Sequence, residues 1–212
     1  MEYDCIVMPS PVGELTLVAR GAALAAILWE NDKPNRVRLG EMRVADGCAV
    51  LQETARQLGE YFAGTRQQFA VPLDFSGTPF QQEVWRALLT IPYGQTRSYG
   101  EIARQIGRPA AVRAVGAANG KNPISIIAPC HRVIGATGEL TGFAGGLHAK
   151  VTLLALEGIT LSSDREALNT SSPLGPRLIW PILIGPVRAH SMAEFDGSSN
   201  QWPWLSRSII ER

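Results

Sequence analysis

The chain has 212 residues, of which 45% are hydrophobic and 18% charged, and its net charge is +1 at pH 7. This is ordinary globular composition, with length for one large domain or two small ones. No run of about 18 apolar residues reads as a membrane span, and Met1-Glu2-Tyr3-Asp4 lacks the basic-then-apolar layout of a signal peptide. The expectation is a cytoplasmic protein with no membrane partner.

Residues 14–19 alternate, and with the apolar run 24–29 they flank Arg20-Gly21-Ala22, a pattern that reads as a hairpin. Leu51, Ala55, Leu58 and Phe62 recur at helical spacing before a stop at Gly64. Phe69, Val71, Leu73 and Phe75 return to period two and predict a further strand. Ser76-Gly77-Thr78-Pro79 ends that segment, so a domain boundary is placed there, giving residues 1–76 and 77–159. Thr78, Pro79 and Gln81 fit a capping box with proline at the first helical position. Ser98 and Glu101 form a second box, and Pro109 opens a further helix over residues 110–119. The short helix, tight turn and second helix make a helix-turn-helix pattern, shared by many helix pairs that never meet DNA.

Residues 124–128 read as a short buried strand leading to Cys130, and residues 133–134 and 140–141 read as a hairpin wing around a Gly-rich turn. Leu147, Val151 and Leu154 mark a last helix ending at Gly158. Residues 160–212 show no sustained period and are left unassigned, a composition that fits a disordered tail. Acids outnumber bases up to Pro79, whereas bases outnumber acids from Phe80 to Gly158, so the middle of the chain has the charge to hold a polyanion.

Three cysteines at wide spacing, Cys5, Cys48 and Cys130, argue against a disulfide framework and predict free thiols. No CxxC or HxxxH spacing exists, and the histidines are His131, His148 and His190, so no metal site is expected. Cys5 and Cys48 read as small hydrophobes. Cys130 is followed by His131 and Arg132, and the last helix carries Glu157 in its last turn, where a carboxylate opposes the helix dipole. That mismatch points to a functional constraint rather than to stability.

Seven motifs follow in order: Phe80-Gln81-Gln82-Glu83-Val84-Trp85, Ile91-Pro92-Tyr93-Gly94-Gln95-Thr96, Ser98-Tyr99-Gly100-Glu101-Ile102-Ala103, Arg113-Ala114-Val115-Gly116, Asn122-Pro123, Pro129-Cys130-His131-Arg132-Val133 and Gly145-Gly146. Through them the chain from Pro79 to Gly158 resembles the bacterial O6-alkylguanine-DNA alkyltransferases, the methylated-DNA-protein-cysteine methyltransferases. Ser10-Pro11-Val12-Gly13-Glu14-Leu15 extends the resemblance more weakly. The resemblance implies an α+β chain with a small ribonuclease H-like sheet-plus-helix domain and a mainly helical winged helix-turn-helix domain. It implies a single-turnover repair protein that flips O6-alkylguanine out of duplex DNA and keeps the alkyl group on Cys130, with O4-alkylthymine left open as a second substrate.

By that resemblance His131 takes the thiol proton through a bound water, Glu157 orients His131 and Asn122 holds the turn. Tyr99 sits by the target base, and Arg113 fills the stack. Ala114 and Gly116 let the helix backbone approach DNA, while Val133, Phe143, Ala144 and Gly145 line the substrate pocket. Many relatives have Tyr where this chain has Phe143, which implies an altered alkyl preference. No cofactor is expected. The implied partner is double-stranded DNA, met by a monomer, with cooperative assembly on DNA left open. Two rival readings are a winged-helix regulator that senses alkylators through Cys130 and a cysteine hydrolase.

Overall fold

A computed structural model of the chain describes residues 2–159. The tail assigned to residues 160–212 lies outside the described residues. Strands β1 (Tyr3–Met8), β2 (Leu15–Arg20), β3 (Ala23–Trp29) and β4 (Met42–Val44) form one sheet in the order β3-β2-β1-β4. β1 and β3 run antiparallel to β2, and β4 is parallel to β1. Gly21, at φ 59°, supplies the positive dihedral that a tight hairpin loop needs. The register breaks between Val18 and Ala19, so Leu24 opposes Ala19 while Ala26 opposes Val18. The extra residue, Ala25, shifts the side-chain phase of β3 as a bulge does. Leu24, Ile27 and Trp29 therefore share one core with Leu15, Leu17 and Ala19, whereas Ala26 packs with Val18 and Cys5 in another.

Helix α1 (Ala49–Phe62) lays Leu51, Leu58 and Tyr61 on that first core. The strand expected over Phe69 to Phe75 does not form. Its backbone bonds to the sheet are only Leu24 N–H to Pro72 O (2.8 Å) and Asp74 N–H to Leu24 O (2.8 Å), around the isolated pair Leu24 and Leu73. Pro72 has no N–H to continue a ladder, and Ala70 N–H donates instead to Gln57 Oε1 of α1 at 2.8 Å. The alternation in this segment is real, but one face of it covers the core through a single bridge and not a ladder.

Helix α2 (Pro79–Leu88) starts at the Thr78–Gln81 capping box, and α3 (Tyr99–Gln105) at the Ser98–Glu101 box, both complete. Helix α4 (Val112–Gly120) begins after Ala111, two residues inside the expected span, and no side chain caps it. Val84, Leu88, Ile102, Ala103 and Val115 pack these helices together, and Trp85 donates its indole N–H to Ala118 O at 2.8 Å. β5 (Arg97–Ser98) pairs in parallel with β6 (Val133–Ile134), and α5 (Gly146–Leu156) closes the described chain.

Two further expectations fail near Cys130. Residues 124–128 make no strand: Ala128 N–H turns back to Ile124 O (2.9 Å), and Ile126 sits at φ 74°, a strained left-handed conformation for a β-branched residue. The wing does not form as a hairpin either, because β6 pairs with β5 and not with residues 140–141. The intervening turn still closes, by Gly135 N–H to Glu139 O at 2.8 Å. Ile124, Ile126 and Ile127, with Ala149 and Leu153 of α5, lie in the same core as the sheet and α1. One hydrophobic core thus spans both halves of the described chain.

Candidate active site

Cys130 opens a 3₁₀ turn, Cys130–Arg132, at the end of the looped segment that replaces the expected strand. Asn122 shapes that segment from inside, donating through Nδ2 to Ala128 O (2.7 Å) and accepting from Ile124 N–H through Oδ1 (3.1 Å). Two buried backbone groups are thereby satisfied by one side chain. The Cys130 thiol is 2% exposed and lies 3.9 Å from Ser125 Oγ. Burial pushes its pKa up, against a smaller opposite pull from Asn122 and Ser125. The free protein therefore stores a thiol, since a thiolate in apolar surroundings has lost its hydration.

His131 is fully buried, with Nε2 2.8 Å from Glu157 Oε1. Burial lowers its pKa despite the carboxylate beside it, and the Arg132 and Lys150 charges act in the same sense. The ring is neutral at pH 7. Glu157 also accepts from Arg132 Nε (2.8 Å) and Nη2 (2.9 Å), from Tyr61 Oη (2.7 Å) and from Gly94 N–H (3.2 Å). Burial alone would raise this carboxyl, but the bonds from His131, Arg132 and Tyr61 outweigh it and hold the pKa at about 2. An ionised Glu157 accepts from Nε2–H, which assigns the tautomer and leaves Nδ1 as the free lone pair. Nδ1 is buried and has no partner among the described residues.

Glu157 is therefore more than a functional misfit at a helix end. The dipole argument against it holds, yet a two-pronged Arg132, itself bound to Ile91 O at 2.6 Å and stacked over Tyr93, compensates for the local mismatch. Gly94 permits the approach: it has φ 72°, and a Cβ there would lie 3.3 Å from Glu157 O.

Sequence reasoning assigned no role to Arg132, Tyr61, Lys150 or Ser125. Arg132 stood in the quoted motif, and only burial distinguishes it from the surface bases around it. Lys150 is buried as well, donating to Val133 O (2.7 Å) and Thr141 O (3.3 Å), with a pKa lowered to about 8 by burial. These two bases belong to the interior and not to a polyanion-binding face, which corrects the charge reading of this half. Arg86, Arg104, Arg108, Arg113 and Lys121 remain exposed.

Tyr99, the first residue of α3, donates to or accepts from Thr141 Oγ1 at 2.6 Å. It packs with Cys130, Val133 and Phe143 around the second core. Gly116 of α4 lies over its ring, where a Cβ would meet Tyr99 carbons at 3.8 Å. Arg113 and Ala114 are exposed on α4, outside the buried Cys130 cluster. Phe143, Ala144 and Gly145 are half-buried before α5, and Phe143 sets its ring edge-on to His131, 6.4 Å between centroids. All three cysteines are free, and no cluster of three His, Cys, Asp or Glu side chains suited to a metal occurs among the described residues. No helix among them is long and apolar enough to cross a membrane.

Residues 79–159 match the family model described as the DNA binding domain of 6-O-methylguanine DNA methyltransferase, and residues 5–75 match its ribonuclease-like domain. The methylated-DNA–protein-cysteine methyltransferase of Mycobacterium leprae is 53% identical over 153 residues, covering 72% of this chain and 91% of the relative. That of Mycolicibacterium paratuberculosis is 55% identical over 159 residues, covering 74% and 92%. The crystal structure of Mycobacterium tuberculosis OGT in complex with DNA superposes with a TM-score of 0.66 at 50% identity, covering 74% of this chain and 92% of that one. On these matches to both halves of its described residues, the chain belongs to the 6-O-methylguanine DNA methyltransferase family.

Proposed function

We propose that this protein repairs alkylated DNA by moving the alkyl group of O6-alkylguanine irreversibly onto its own Cys130. The observation that carries this reading is the buried line Glu157–His131 beside Cys130, in a chain whose close relatives are named as methylated-DNA–protein-cysteine methyltransferases. Sγ forms a bond to the alkyl carbon as the carbon–O6 bond breaks. The thiol proton passes through a bound water to Nδ1 of His131, and guanine, leaving as its anion, takes up one proton at its ring nitrogen through Tyr99, which balances the proton lost from the thiol. Glu157 orients the ring, Asn122 holds the turn, and Tyr99 donates to the ring nitrogen of the leaving base.

A base inside a duplex cannot be reached in line by sulfur, so the target must leave the stack. Arg113 of α4 fills the gap, while the small Ala114 and Gly116 let the helix approach the backbone without reading base edges. Val133, Phe143, Ala144 and Gly145 line the pocket for the extruded base and its alkyl group. Full ionisation of an ordinary thiol gains only about 2 kcal/mol over its resting fraction at neutral pH. The buried Cys130 thiol is harder to ionise than an ordinary one, so its proton transfer is a cost that the rest of the site must offset. Alignment of sulfur, carbon and oxygen, with stabilisation of the leaving guanine, supplies most of the acceleration. The thioether product is not cleaved by water, so each molecule acts once.

The same reading takes the protein as a cytoplasmic monomer needing no cofactor, divided at residue 76 into a sheet half and a DNA-binding half. Incubation with duplex DNA containing O6-methylguanine, followed by intact-protein mass measurement, tests it. One methyl gained, absent in Cys130→Ser, is expected. No gain by the wild-type chain, or turnover beyond one product per protein, sinks the reading.

A further inference from the structure

Trp29, at the end of β3, is 6% exposed and packs edge-to-face on Phe143, with 5.3 Å between centroids and 71° between planes. Phe143 in turn meets the His131 ring edge-on at 6.4 Å. The same indole presses on the backbone two residues further along: a Cβ built on Gly145 would lie 2.5–2.6 Å from three of its ring carbons. No side chain fits there while the indole stays. Its N–H is buried without a partner among the described residues, so the ring contributes bulk and shape, not a hydrogen bond. A cleft of about 270 Å³, lined by Trp29, Asn31, Lys33 and residues 143–146 among others, adjoins this contact and gives the stretch space to recede if the ring is trimmed.

We propose that Trp29 is a positioning residue that sets the size of alkyl group the site accepts, by wedging Phe143 and the Gly145 backbone in place from the opposite half of the molecule. The inference rests on the alkyl-transfer reading. Trp29 acts through Phe143, whose ring links the sheet core to the core that holds Cys130. Packed interiors do not deform continuously, so removing a wedge of this size shifts the stretch it supports.

The test compares single-turnover transfer from O6-methylguanine and O6-benzylguanine in duplex DNA for wild type, Trp29→Leu, Trp29→Phe, Gly145→Ala and the Trp29→Leu/Gly145→Ala double variant. A widened pocket raises the benzyl-to-methyl rate ratio of Trp29→Leu by about tenfold, the scale on which a methylene-sized change in an apolar pocket discriminates. Trp29→Phe, the more conservative variant, shifts it less and in the same direction. Simple loss of stability lowers both rates together and leaves the ratio unchanged. Gly145→Ala slows transfer and lowers the melting temperature when Trp29 is present, and does less of both when combined with Trp29→Leu. With the indole gone, a methyl group at position 145 has space, so the cost of Gly145→Ala shrinks in the double variant. An unchanged benzyl-to-methyl ratio in both Trp29 variants, or equal costs of Gly145→Ala with and without Trp29, overturns the inference. Wild-type transfer is the control that separates the two claims: its absence sinks the alkyl-transfer reading, and the melting-temperature cycle still tests the wedge.

Discussion

Glu157 does two jobs with one carboxylate, fixing the His131 tautomer through Oε1 and neutralising buried Arg132 through both oxygens. Glu157→Gln keeps the shape and removes the charge, leaving Arg132 buried and uncompensated. A loss of about 3 kcal/mol in urea unfolding is expected, together with slower transfer to Cys130. The acid limb of stability carries the same signature. The folded carboxyl sits at about 2 against an ordinary 4.5. Its contribution is fully present above the unfolded value and is lost as pH falls from 4.5 towards 2, so acid denaturation should be steeper in wild type than in Glu157→Gln. His131 behaves differently, because burial moves its pKa below the ordinary 6.5. In the proposed mechanism the neutral ring is the base, so more than half of the His131-dependent single-turnover rate should remain when the pH has fallen to 6.5, with the half-point lying below it. A rate already halved at 6.5 would show a ring that is easier to protonate than its burial allows.

Elements carry the next layer of function. Helices α2 and α3 begin at reciprocal capping boxes that satisfy their first amides locally, which is why both starts are legible in sequence. Helix α4 lacks such a cap and begins later than the residues after Pro109 suggest. Its exposed Arg113 sets up a discriminating test. Arg113→Ala should slow transfer from O6-methylguanine in duplex DNA by about tenfold or more, a loss on the scale of one stacking contact. Transfer from free O6-benzylguanine, which needs no base extrusion, should be unaffected. Equal losses on both substrates would move Arg113 from the DNA step to the chemistry. The segment from Asn122 to Cys130 shows the opposite case from the capped helices. Its apolar run reads as a strand, but Asn122 and the left-handed Ile126 curl it into a cradle closed by Ala128 N–H to Ile124 O and tied to β3 by Ile27 N–H to Pro123 O.

At the scale of the whole molecule, the sheet half and the helical half share a core that contains Leu15, Leu17 and Ile27 on one side and Ile124, Ile127 and Leu153 on the other. Leu153→Ala, far along the chain from the sheet, should cost about 3 kcal/mol. It should lower the midpoint of one common transition, whether that is followed by tryptophan fluorescence or by far-ultraviolet circular dichroism. Two separated transitions would mean that the halves unfold independently. The sequence by itself determined the hairpin, α1, the two capped helices and α5, because periodicity, capping boxes and glycine stops act over a few residues. It also determined Cys130 and His131 as neighbours, and through family motifs it pointed to Glu157. Only the tertiary structure decided that Arg132 and Lys150 are interior charges, that Tyr61 reaches Glu157 and that Trp29 presses on Gly145. It also decided that β6 pairs with β5. Those facts depend on which distant segments meet and exclude water from one another, and burial at long sequence separation leaves no local pattern to read.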